Sequence, residues 1–160
     1  VALFIRFSVL NFRVLILDIM KRYQIYKFSM ENNCSISLNS KITGSLSNLK
    51  VGKGTVINGN ANFRFKSGEI TIGENCLIAS NLSIVCNTYK IQGRNPISPS
   101  EMYSKNVSVG NNVWIGGNVI ILPGVVIGDN SIIGAASLVT KEVPSNEVWG
   151  GVPAKLLYKR

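Results

Sequence analysis

A branched aliphatic residue returns at every sixth position along one stretch of the chain: Val109, Ile115, Ile121, Ile127, Ile133 and Val139. Four residues after each stands a second, smaller residue: Val113, Val119, Val125, Ser131, Ser137 and Val143. An amphipathic helix repeats its apolar stripe roughly every 3.6 residues and a half-buried strand every second residue, so neither produces this beat. A short strand followed by a corner does. Three such units make one triangular coil, with the branched residue pointing inward onto its equivalents in the coils above and below, and the smaller residue near a corner where there is less room. The pairs Asn111-Asn112, Gly117-Asn118, Pro123-Gly124 and Asp129-Asn130 fall at the corners. Gly and Asn tolerate positive φ, and Pro presets a turn φ. Backbone groups pair with neighbouring coils, so no coil is stable alone. The predicted class is all-β: a left-handed parallel β-helix, or hexapeptide-repeat solenoid, an exception to the usual right-handed crossover. The competing architecture is a β-sandwich with Gly- and Asn-rich turns.

The frame extends beyond this stretch. From Ile36 to Ser67 it is ragged, although Val51, Ile57 and Phe63 keep the spacing, with Thr55 and Ala61 at the smaller positions. Nine positions separate Phe63 from Ile72, which leaves about three residues for a bulge or small loop; the frame then resumes at Ile72, Ile78 and Ile84. The step from Ile84 to Val109 is 25 positions, not a multiple of six. One loop, 87–106, must therefore leave the solenoid. Loops on a rigid scaffold are where function concentrates. The periodicity stops at Pro144, and the tail 145–160 reads as a turn at Gly150, Gly151 and Pro153 followed by a basic strand or helical turn covering the last coil.

The expected organisation is an N-terminal amphipathic capping segment (1–30), the β-helix (31–144) and a C-terminal capping tail (145–160). The N-terminal segment is apolar and basic and is expected to be helical. Arg6, Arg13 and Asp18 interrupt it, so a membrane span is not expected. No small-residue cleavage site follows it, so a secretory signal is not expected either. Two roles stay open: covering the edge strands of the open coil, or peripheral docking at a membrane surface.

Composition sharpens this picture. The 160 residues suit one domain. Hydrophobic residues make up 46% of the chain and charged residues 16%, which fits an aliphatic interior combined with a large subunit interface. The net charge of +9 serves solubility or attracts an anion: a phosphorylated cofactor, a nucleotide sugar or an anionic membrane face. A nucleic-acid partner is not expected, since no recognition motif for one is present. Cys34, Cys76 and Cys86 are odd in number and lack metal-type spacing, so they read as reduced thiols of a cytoplasmic protein. Cys76 falls on a small inward position. Histidine is absent, which excludes His-ligated metal sites and any His base; no metal is expected.

The segments NNVWIG, PGVVIGDNSIIGA, VTKEVP and GVPAK, spread over Glu101 to Leu157, closely resemble the hexapeptide-repeat acyltransferases, nearest their galactoside, maltose and polysaccharide O-acetyltransferase branch. The resemblance weakens back to Val51 and is absent before it. It implies a homotrimer with acetyl-CoA lying in a groove between neighbouring subunits and a sugar or amino-acid hydroxyl as acceptor. It also implies that Trp114 lines the site near the thioester. Gly117 and Ala135 then stand at corners whose backbone meets the pantetheine arm, Thr140 and Lys141 lie near the nucleotide end, and Lys155 suits the coenzyme phosphates. A further basic position of some relatives is Tyr158 here. The expected setting is the cytoplasm, with the inner face of the membrane as the alternative.

One departure matters chemically. The resemblance implies a loop His that takes the proton of the acceptor hydroxyl, and here the window reads Thr88-Tyr89-Lys90. A hydroxyl attacks a thioester poorly unless a base removes its proton. Tyr and Lys have reference pKa values of about 10 and 10.4 and need large downward shifts to serve. Glu101 matches an acidic position near the acceptor and is ionised at neutral pH, though weakly basic. The candidate acid–base residues are therefore Glu101, Lys90 and Tyr89. Three readings stay open: transfer to an amine, which needs no base; transfer to a hydroxyl with one of these residues or a residue of a neighbouring subunit; and a non-catalytic trimer that binds a ligand or partners.

Overall fold

The computed structural model describes residues 2–90, 93 and 98–160, and the side chains of these except 2–13 and Pro99. The chain is mostly β with one N-terminal helix, Ala2–Glu31. Ser35–Ile36, Lys41–Thr43 and Leu49–Val51 begin three separate sheets in turn. The next strands, Val56–Ile57, Asn62–Arg64 and Ile70–Ile72, return to the same three sheets in the same order. The rotation continues through Leu77–Ile78, Ser83–Val85 and Val107–Val109, then Trp114–Ile115, Ile120–Ile121 and Val126–Ile127, and ends with Ile132–Ile133 and Leu138–Val139. Each strand pairs in parallel with the strand one rotation later, giving five, five and four strands, and two C-terminal strands extend the first sheet to seven.

The hexad dictates this arrangement. Along the seven-strand sheet Ile36, Ile57, Ile78, Ile115 and Ile133 stand in register. Ile42, Phe63, Ile84, Ile121 and Val139 do so on the five-strand sheet, and Val51, Ile72, Val109 and Ile127 on the four-strand sheet. All but Ile42 are buried. Burying each such side chain contributes about 1.5–3 kcal/mol. The smaller positions Val113, Val119, Val125, Ser131 and Ser137 are buried as well. Their hydroxyls are satisfied: Ser131 donates to the Pro144 carbonyl at 2.8 Å and Ser137 to that of Gly134 at 2.6 Å. The corners carry left-handed Asn residues, among them Asn81, Asn112, Asn118 and Asn130.

The ragged early hexads have a structural cause. The step from Ile42 to Val51 is nine positions, like that from Phe63 to Ile72, and both occur at the corner between the five-strand and four-strand sheets. A short 3-10 turn, Leu46–Asn48, fills the first of these wide corners. In the second, buried Phe65 packs so closely on Gly44 that any side chain there would overlap its ring. On the next coil the same corner opens fully. The expected loop begins and ends as a hairpin: Asn87–Tyr89 pairs antiparallel with Met102–Ser104. Asn87 fastens its base, its Oδ1 accepting from the Lys66 amide at 2.9 Å and from the Ser104 hydroxyl at 3.1 Å. Residues 91–92 and 94–97 of this loop lie outside the described residues.

At the C-terminal end Glu147–Gly151 adds in parallel to Ile132–Ile133 and pairs antiparallel with Ala154–Lys159. Buried Trp149 continues the inward column above Ile133 and donates through Nε1 to Glu147 Oε2 at 2.8 Å. At the other end, Ile25 and Ser29 of the helix are buried and Phe28 packs against the core, while the described side chains from Val14 to Gln24 are exposed.

Two outcomes test this packing. Ile115→Ala should cost about 2–5 kcal/mol in a denaturant titration, and a loss below about 1 kcal/mol would show that the column is not close-packed. Burial pushes the Cys86 thiol up to about 11 and raises those of Cys34 and Cys76. The folded state thus favours the protonated thiol, so this stability is present below the ordinary thiol value of 9.0 and is lost as pH rises towards 11. The unfolding midpoint should fall across that interval, and less steeply in Cys86→Ala; equal slopes in both proteins would exclude Cys86 as the cause.

Candidate active site

Trp114 precedes inward Ile115, so strand alternation turns it outward from the seven-strand sheet, where it is 52% exposed. Its register neighbours on that face are Leu77, 50% exposed, and Ile132. An indole flanked by two aliphatic side chains on an outer face forms an apolar strip suited to contact with something outside the chain.

The corner that follows carries Gly116 and Gly117, and their constraints differ. A Cβ on Gly116 would lie 2.5 Å from the Ala135 amide nitrogen and 2.8 Å from its Cα. Glycine is therefore required there by the next coil. A Cβ on Gly117 would meet only the Ser80 carbonyl oxygen at 3.5 Å, an ordinary contact. Among the described residues nothing demands a small residue at Gly117. Ala135 stands directly over it, since the Ala136 amide donates to the Gly117 carbonyl at 2.8 Å.

The neighbouring residue Ala136 is a functional candidate that sequence reasoning missed. Its φ is 57°, whereas the equivalent corners below carry Asn60, Asn81 and Asn118 in the same left-handed conformation. Asn81 and Asn118 form a side-chain ladder, Nδ2 to Oδ1 at 3.1 Å. At Ala136 the ladder stops and the backbone is left bare, although alanine in this conformation costs about 1–2 kcal/mol. The signal was present as Ala-Ala where the earlier corners read Gly-Asn or Ser-Asn.

Lys155 continues this edge. It pairs with Gly150, which packs 3.7 Å from the Cβ position of Gly134, immediately before Ala135. Thr140 and Lys141 lie elsewhere, at the following corner after Leu138–Val139. The Lys141 ammonium sits 5.2 Å from the centre of the Trp149 ring, a cation–π contact that holds it over the last coil. Gly117, Ala135 and Lys155 thus share one edge of the prism, between the seven-strand and five-strand sheets, Trp114 stands on the adjoining face of the seven-strand sheet, and Thr140 and Lys141 lie at another corner.

The acid–base candidates meet at the root of the hairpin. Tyr89 pairs with Met102, and the Lys90 amide donates to the Glu101 carbonyl at 3.2 Å. This hairpin leaves from the corner between the five-strand and four-strand sheets. Within one copy the hairpin and the Trp114 edge therefore occupy different corners. None of the cysteines suits nucleophilic attack: Cys76 and Cys86 are buried, and burial raises all three thiols.

Comparison with known proteins agrees with this architecture. The family described as bacterial transferase hexapeptide (six repeats) matches residues 106–141. The galactoside O-acetyltransferase of Escherichia coli (strain K12) is 42% identical over 88 residues, which cover 55% of this chain and 43% of that protein, so the match spans less than half of that relative. The structure of a galactoside acetyltransferase in complex with coenzyme A superposes with a TM-score of 0.65 at 31% identity, over 89% of this chain and 82% of that one. A hexapeptide-repeat containing acetyltransferase from Vibrio cholerae, complexed with acetyl coenzyme A, gives 0.67 at 27% identity over 88% and 87%. The chain belongs to the hexapeptide-repeat acetyltransferase family.

The two glycines give a direct check. Gly117→Ala should leave the unfolding free energy within about 0.5 kcal/mol, while Gly116→Ala should lower it by about 1–3 kcal/mol. Equal losses in thermal unfolding would mean that intrachain packing requires glycine at Gly117 too.

Proposed function

We propose that the chain is a cytoplasmic acetyltransferase that moves the acetyl group of acetyl-CoA to a hydroxyl or amine of a sugar, within surface polysaccharide synthesis. The observation that carries this reading is the edge at Gly117: a corner kept small without any need from the described residues, stacked under Ala135 and leading to Lys155. A slender carrier can lie against bare backbone there. The family resemblance supplies the sugar and the polysaccharide setting, and a galactoside acetyltransferase bound to coenzyme A is among the structural relatives.

In this reading the coils wind left-handed, the N-terminal helix and the C-terminal tail close the two ends of the coiled body, and three copies associate. The hairpin corner and the Trp114 edge of one copy lie apart, so a neighbouring copy brings its hairpin to the edge and completes the site. Trp114 packs beside the thioester, Gly117 and Ala135 admit the pantetheine arm, and Lys155 meets a phosphate. Thr140 and Lys141 lie at the hairpin's corner, so those of the neighbouring copy act at the nucleotide end, with Lys141 held in place by Trp149. The acceptor heteroatom attacks the thioester carbonyl carbon, the carbon–sulfur bond breaks, and the acceptor proton leaves with the coenzyme thiolate or through Glu101. Backbone N–H groups steady the oxyanion. Lys90 and Tyr89 stand beside Glu101 as alternative proton acceptors.

The absent histidine favours a second reading, a trimer that binds a ligand or partners without turnover. Thiol release from acetyl-CoA, measured over hydroxyl and amine sugars, separates the two; coenzyme A binding in calorimetry with no turnover on any acceptor supports the second.

Gly117→Val should weaken coenzyme A binding in calorimetry by about tenfold or more, as a branched side chain fills the carrier's path. Undiminished affinity would remove the coenzyme from this edge. Glu101→Gln should lower kcat by about 10²-fold or more for a hydroxyl acceptor, with the KM for acetyl-CoA unchanged. A loss below about tenfold would point to an amine acceptor or to Lys90 or Tyr89, which Lys90→Met and Tyr89→Phe then distinguish.

A further inference from the structure

We infer that the outward face of the N-terminal helix docks on an anionic phospholipid bilayer. Ile25, Phe28 and Ser29 turn one face of the helix towards the first coil. At 100° per residue an arc running from the flank of this face to the far side of the helix carries Leu15, Ile16, Ile19, Tyr23, Tyr26 and Met30, each between 40% and 65% exposed. No charged residue falls within this arc over residues 14–31, and Arg22 and Lys27 border it on either side. The 3-4 spacing of Ile16, Ile19, Tyr23, Tyr26 and Met30 also runs back in the sequence through Phe12, Val9 and Ile5.

Charge decides what covers this face. The helix holds five basic residues against Asp18 and Glu31. Both acids are already paired along the helix, Asp18 with Arg22 at 2.8 Å and Glu31 with Lys27 at 3.7 Å. Beside the helix, Lys21, Arg22 and Lys41 line a cleft of about 750 Å³ against the first coil, in which Asp18 is the one acidic residue. A heptad-like pairing with a second copy, parallel and in register, would set Arg22 of one copy against Lys27 of the other, each already paired within its own helix, so no ion pair between helices is gained while two helices of net positive charge are brought together. A bilayer bearing anionic headgroups meets the same cations with opposite charge, at about 1 kcal/mol per basic residue near the surface. It also accepts the apolar arc, and tyrosines favour that depth. Among the described residues no helix is long and apolar enough to cross a membrane, so the segment lies on the surface. This inference does not depend on the transferase chemistry.

The test is flotation of the full chain with vesicles of phosphatidylcholine plus phosphatidylglycerol and with phosphatidylcholine alone. Preferential flotation with the anionic vesicles, reversed by high salt, is expected. The double variant Ile19→Glu with Tyr23→Glu changes only exposed positions; it should keep the circular dichroism and melting of the parent and bind at least about tenfold more weakly. A second variant, Lys21→Glu with Lys27→Glu, leaves the apolar arc intact and should also weaken binding to anionic vesicles by about tenfold or more. No flotation of the parent with anionic vesicles, or undiminished flotation of both variants, overturns the inference. So does a doubled assembly mass in sedimentation that Ile19→Glu with Tyr23→Glu abolishes, since a second copy would then cover the face.

Discussion

Everything in this molecule depends on the pairing of each short strand with its counterpart one coil away. A two-residue strand such as Trp114–Ile115 has no stability of its own. It persists because Leu77–Ile78 lies on one side, Ile132–Ile133 on the other, and Ile115 is closed between Ile78 and Ile133. Hydrogen bonding along the axis and aliphatic contact inside the coil therefore act on the same residues. The inward positions are fully committed to this, so chemistry is confined to outward residues, corners and the hairpins.

Much of this was legible because a strict period leaves few physical alternatives. From Val109 to Val139 each inward residue was assigned from spacing alone, and the strands place them so; Val143, read as a smaller corner residue, instead pairs with Ile127 and fills the inward place two residues early. Ile36 and Ile42 were obscured by the wide corner at 43–48, which breaks the count without breaking the stack. Trp149 was obscured in another way: Pro144 ends the written repeat, yet the chain makes a further pass over Ile133. The hairpin read as a loop because Asn-Thr-Tyr and Met-Tyr-Ser carry no apolar alternation to announce strands. Their pairing comes from the fixed ends of the excursion, with Asn87 tied to Lys66 and Ser104.

Candidate residues could be named from the sequence, but not how the fold arranges them. The family resemblance singled out Trp114, Gly117, Ala135 and Lys155; one edge holds Gly117, Ala135 and Lys155, and Trp114 stands on the adjoining face. The resemblance could not reveal that Lys141 is held over Trp149 at another corner, since cation–π contact depends on where the last coil closes. Nor could it distinguish Gly116 from Gly117, which are adjacent in sequence but differ in what lies opposite: a backbone nitrogen at 2.5 Å for one, open space beyond a carbonyl at 3.5 Å for the other. The vacancy left by histidine is chemical rather than architectural, because Asn87 and the paired strands hold the hairpin root without an imidazole.

The C-terminal hairpin turns the chain back antiparallel beside Glu147–Gly151 and so ends the seven-strand sheet. From the coil of Trp114 to that of Trp149 there are two strand spacings, roughly 10 Å of climb. The stack thus behaves as a ruler with a stop: adding or deleting one whole coil between Ile115 and Trp149 would preserve the inward stacking pattern, yet move Lys155 about 5 Å along the edge. The pattern of the stack survives that change; the reach between the aromatic and the terminal cation does not.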